Sequence, residues 1–149
     1  MTSTDRRKPF EYHEFRAMRS VTAALTAIPL IGGLAGVLGV PAWVAGDRGP
    51  LEASTDSEFR FLSAVWFTFA PLIWTALPTA HIQPGRLRII GAGIILSGCG
   101  RMCSWRSHGR PQAMMVAAAV LELVGVPVLL AWHTKIVRRS KRNGLALER

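Results

Sequence analysis

Acidic residues are scarce in this chain, and so are cysteines. Nine Asp and Glu stand against 18 Lys and Arg, a formal charge of +9. On a soluble protein that imbalance points to nucleic acid. Here the basic run KIVRRSKR has no interleaved aromatics and no nucleic-acid motif accompanies it, so nucleic acid is not expected as a partner. The two cysteines, Cys99 and Cys103, are four apart on one helical face. That is not a zinc spacing, and no neighbouring histidine completes a site. They read as small apolar packing residues and imply no redox compartment. Paired carboxylates, a Ser–His–Asp set and a glycine-rich phosphate loop are also missing. Neither an enzyme nor a metal or cofactor site is expected.

Alternation is missing as well. The hydrophobic residues, 50% of the chain, gather in four blocks, at 21–45, 59–80, 87–105 and 113–132. A helix rises ~1.5 Å per residue and the hydrocarbon core is ~30 Å thick, so each block spans a membrane once. Backbone inside lipid must satisfy its own hydrogen bonds, and a barrel strand would alternate in character, so helices are expected. The fold class is all-α: four transmembrane helices, at about 20–45, 59–80, 87–105 and 112–134, in an antiparallel bundle. Residues 1–19 form a polar N-terminal segment, open between an interfacial helix and a disordered tail. Residues 135–149 form a basic tail. The first apolar block is longer than a signal peptide's core, so a retained helix is expected.

Cations set the orientation. With both termini in the cytoplasm, 13 of the 18 Lys and Arg lie inside. The outer cations are balanced by outer acids, which leaves all the net charge facing cytoplasmic headgroups. Trp43 and Trp105 mark the outer interface and Trp132 the inner one. Small residues suggest two packing seams, a GxxxG pair of Gly32 and Gly36 and a face of Gly93, Ser97 and Gly100. The segment carrying Arg106, His108 and Arg110 reads as a short outer turn, and Pro29 as a kink in the first helix.

Two charges stand inside apolar blocks: Arg101 in the third and Glu122 in the fourth. Such groups are costly in lipid, face the protein interior and pair. In a hairpin their Cα atoms differ in depth by ~7 Å. Helical side chains lean toward their own N-terminus, so these two lean toward each other. The pair is expected to be either a clamp on the hairpin's register or a polar ligand site. Glu58 and Arg60, which open the second helix, are candidates to cap the same cavity. His81 and His133 lie near helix ends; two axial histidines would suit a haem, but interfacial placement is the commoner reason for such rings.

The stretches SEFR, GRMCSWRSHGRP and LELVGVP follow in an order that resembles the small bacterial four-helix membrane proteins called domain of unknown function 4345. The matching positions are Glu58, Arg60, Gly100, Arg101, Gly109, Pro111, Glu122 and Leu123. The resemblance covers roughly residues 20–135 and implies a fold and a multi-pass place in the bacterial inner membrane, with no activity. SAVWFTFAP departs from the Gly-Gly that the family often carries early in its second helix, which implies a bulkier, drier cavity. The expected function is non-enzymatic: an accessory subunit of a larger membrane complex, a homo-oligomer, or a binder of lipid or a small ligand. A small proton-coupled transporter is the alternative, and a haem or quinone protein the third reading.

Overall fold

The computed structural model describes residues 7–39 and 52–145, with side chains over 13–39 and 52–142. The expected helix end at 40–45, with Trp43, and residues 46–51 of the loop that follows lie outside the described residues. Every regular element described is helical: α1 (Arg7–Leu25), α2 (Ala27–Leu38), α3 (Ala53–Ala76), α4 (Pro84–His108), α5 (Ala113–Val120), a π-helical turn (Leu121–Gly125) and α6 (Val126–Leu145). Taken as continuous rods, four are long and apolar enough to cross a membrane: His13–Leu38, Ala53–Ala76, Pro84–His108 and Ala113–Arg142.

Several ends differ from expectation. The segment from Arg7 to Ser20 belongs to α1, and α6 runs through the basic stretch to Leu145. Lys and Arg are good helix formers, and cations near a helix C-terminus meet the negative end of its dipole. α3 starts at Ala53, so Asp56 and Glu58 lie in the helix and not in the loop before it. α1 stops at Leu25, four residues before Pro29. A proline lacks the N–H for that carbonyl, and its ring crowds it. Thr26 occupies the break, its hydroxyl donating to the Ala23 carbonyl at 2.5 Å.

The chain divides into two compact units, Val21–Thr75 and Met1–Ser20 with Ala76–Arg149. In the first, α2 packs on α3 through Gly33 and Gly36. A Cβ on Gly33 would stand 2.6 Å from the Phe67 backbone nitrogen, and one on Gly36 would collide with the Ser63 hydroxyl. Gly32 is exposed, so the close seam is Gly33–Gly36 and not the GxxxG pair. The pairing reverses direction: Trp74 Nε1 donates to Thr26 Oγ1 at 2.9 Å, and Arg60 Nη1 donates to the Val37 carbonyl at 2.9 Å. That second bond satisfies a carbonyl at the end of α2 that has no helical donor.

In the second unit α4 packs on the rod formed by α5, the π turn and α6. Gly91 faces Leu130 and Gly98 faces Leu123. These glycines are seven apart, two turns on one face. Gly93, Ser97 and Gly100 are exposed, so they are not this seam. Gly109 ends α4 at φ 88, a left-handed value that favours glycine, and its N–H returns to the Trp105 carbonyl at 3.0 Å.

Polarity is inverted relative to a soluble fold. Thr22, Thr26, Ser63, Glu122 and His133 are buried, while Leu38, Ile89 and Leu96 are about three-quarters exposed. No more than 28% of any spanning window is buried inside the protein. Apolar surface of that extent needs an apolar solvent.

Candidate functional site

The site is built around a carboxylate that should not be cheap to bury. Glu122 is 3% exposed, within the π turn that interrupts the fourth rod. The cause of the turn is legible two residues beyond it. Pro127 has no N–H to give the Leu123 carbonyl, and its ring crowds that group. The ladder widens there instead: the Val126 N–H donates to the Leu121 carbonyl, five residues back. A π turn holds one more residue than an α turn, so it re-aims the side chains on it. Gly125 fits the widened turn because a Cβ there would stand 2.8 Å from Leu121 Cδ1.

Across from it α4 comes close because of Gly98. A Cβ on Gly98 would sit 2.8 Å from Leu123 Cγ and 3.0 Å from Glu122 Cβ. Arg101 stands almost one turn further along α4. Its Nε donates to both carboxylate oxygens of Glu122, at 3.2 Å to Oε1 and 3.0 Å to Oε2. Its Nη1 lies 3.3 Å from Met115 Sδ. This is not the two-nitrogen fork in which Nε and Nη share a carboxylate. One N–H serves both oxygens, and Nη2 has no partner among the described residues. The Arg101 side chain is 35% exposed where that of Glu122 is 3% exposed, so the arginine reaches the surface of the protein and the carboxylate does not.

The remaining candidates fall elsewhere. Arg60 is committed within its own unit, to Asp56 at 2.7 Å and to the Val37 carbonyl. Glu58 is exposed and makes no hydrogen bond or ion pair among the described residues. Arg106, His108 and Arg110 are exposed; Arg106 and His108 occupy the last turn of α4, where they favour the helix dipole. Cys99 and Cys103 are free and exposed on the surface of α4, not packed inside it.

His81 and His133 have separate partners. His133 is fully buried, with Nε2 3.0 Å from the Ala80 carbonyl. His81 is exposed, and its ring meets Phe15 edge-on at 5.6 Å between centroids. The His133 Nε2 is thus spent on backbone, while its Nδ1 is buried without a hydrogen-bond partner among the described residues.

Residues that sequence reasoning passed over complete the arrangement: Met115 against the guanidinium, Gly98 beneath it, and the Gly125–Pro127 pair that widens the helix. The signal for the last was present, since a glycine and a proline two apart inside an apolar block mark a place where the ladder must adjust.

No curated protein and no solved structure matches this chain. A family's sequence pattern does, across residues 12–133, a stretch that holds Gly98, Arg101, Glu122 and Pro127. The chain therefore belongs to the family described as Domain of unknown function (DUF4345).

Proposed function

We propose that this chain is a non-enzymatic integral membrane protein whose Arg101–Glu122 pair clamps the α4 hairpin and presents a guanidinium edge to the oxyanion of a lipid headgroup or small ligand. The bundle is antiparallel with both termini in the cytoplasm, in a bacterial inner membrane, and the pair sits in its outer half. One observation carries the reading. Arg101 spends a single N–H on the carboxylate and leaves Nη2 without a partner among the described residues, on a side chain about one-third exposed. A guanidinium needed only as a counter-charge would bind more tightly as a fork. Glu122 positions the group and neutralises its charge, so that a bound anion adds to a nearly neutral site.

The test is the lipid and small-molecule content of purified protein, read by mass spectrometry. Arg101→Lys keeps the charge but loses the planar edge. The expected result is a bound anionic species on the wild type that is lost from Arg101→Lys while the protein still elutes as a single folded species. Equal content in both would overturn the proposal.

A further inference from the structure

At the other end of the same helix pair lies an open groove of about 700 Å³. Five cations line it: Arg88 from α4, and Lys135, Arg138, Arg139 and Arg142 from α6. The four on α6 are spaced at i, i+3, i+4 and i+7, one face of a helix. Like charges at that spacing repel, and one acidic side chain answers them among the described residues, Glu14, 3.6 Å from Arg139. Arg88, Lys135, Arg138 and Arg142 make no ion pair or hydrogen bond among those residues. The groove's floor changes character along the helix: Leu130 and Ala131 are apolar, then the cations begin. From Leu130 to Arg142 the helix rises ~18 Å. Arg88 and Arg101 are ~20 Å apart along α4, so this groove and the Arg101 site are separate.

We infer that this groove is a binding site for one anionic phospholipid, with the phosphate held among Arg88, Lys135, Arg138 and Arg142 and an acyl chain lying on Leu130 and Ala131. Each half of the groove fits one half of that ligand. A free phosphate would use the cations but leave the apolar floor uncovered, while a zwitterionic lipid would cover the floor but bring its own cation to the arginines. Basic pockets between spanning helices hold acidic headgroups by the same charge balance. Of the lining, Arg88, Leu130 and Ala131 lie within the residues the family pattern matches, and Thr134 to Arg142 lie beyond them.

The experiment is a titration of the detergent-purified full chain with short-chain phosphatidylglycerol, read by native mass spectrometry, with short-chain phosphatidylcholine and inorganic phosphate as separate arms. Phosphatidylglycerol is expected to bind in preference, with an affinity that falls about fivefold for each cation removed, so that Arg138→Gln with Arg142→Gln loses about twenty-five-fold. Arg110→Gln, at an exposed cation that does not line the groove, should leave this binding unchanged. Equal binding of phosphatidylcholine, indifference to the double substitution, or displacement of the lipid by inorganic phosphate at equal concentration would each overturn the inference. Should the double variant fail to elute as a folded species, the exposed Lys135→Gln alone is read instead, with a fivefold loss expected and no loss overturning the site.

Discussion

Arg101 holds Glu122 by one nitrogen, its Nε lying 3.0 and 3.2 Å from the two carboxylate oxygens, while the carboxylate is almost wholly buried and the arginine is not. The two partners therefore stand in unequal positions. Removing the arginine leaves a charge without solvent; removing the glutamate leaves a charge that still reaches its surroundings. Arg101→Ala should destabilise the fold by about 3 kcal/mol or more, the cost of an uncompensated buried charge. Glu122→Ala should cost clearly less. The double variant should recover part of the Arg101→Ala loss, so the effects are non-additive. Thermal unfolding in detergent checks this, and simple additivity would contradict the clamp.

The seam glycines give a contrast within one helix. Gly33→Ala would drive a Cβ to 2.6 Å from the Phe67 backbone nitrogen, and backbone yields little. A loss of about 2–3 kcal/mol is expected, as for other overpacked positions. Gly32→Ala meets only Trp66 Nε1 at 3.9 Å, an ordinary contact. It should be neutral or stabilise by up to about 1 kcal/mol through helix propensity. Unfolding midpoints of the two variants, compared side by side, test the seam directly.

Pro127 is the residue on which the π turn rests. Pro127→Ala restores an N–H to the Leu123 carbonyl and permits an ordinary α ladder. Loss of the extra residue from the turn rotates Glu122 by about 100° relative to α6. The expected outcome is that the coupling between Arg101 and Glu122, measured by the same pair of substitutions in a Pro127→Ala background, falls toward zero. A coupling as large as in the wild type would show that the proline does not set the geometry.

Arg60 in the other unit pairs with Asp56 on its own helix, α3, and reaches α2 through the Val37 carbonyl. Both arms are solvated, so Arg60→Ala is expected to lower the unfolding midpoint only slightly. Asp56→Ala removes only the exposed i,i+4 pair and should cost about 0.5 kcal/mol or less. Unfolding midpoints in low and high salt separate the two, because the carbonyl bond is less screened than the ion pair.

Orientation rests on the cation bias. An activity reporter fused after residue 149 should score as cytoplasmic, and so should one placed before residue 1. An external score for either would reverse the topology and move the Arg101 edge to the inner half.

Much of the architecture is written in the order of residues. Runs of apolar residues this long admit few structures other than helices, because backbone in lipid has no other donor or acceptor than itself. Arg101 and Glu122 were conspicuous for the same reason, as ionisable groups inside such runs. The sequence also carries the cause of the break at Thr26 and of the π turn, in Pro29 and Pro127, since proline acts on its own chain four residues back. What composition could not decide was which face of each helix meets its neighbour. Gly32, Gly93 and Gly100 are as small as Gly33, Gly91 and Gly98, and a one-residue difference is a 100° turn around the helix. Only the packed structure selects among them, because the choice depends on the atoms of Phe67, Leu123 and Leu130 on the opposite rod. The same holds for the ion pair. Sequence places a cation and an anion in adjoining spans, but the shared Nε bond and the contact with the sulfur of Met115 follow from a close approach at Gly98 and a widened turn at Glu122. Chemistry of residue types is local and legible; the geometry that turns one pair of them toward each other is a property of two helices at once.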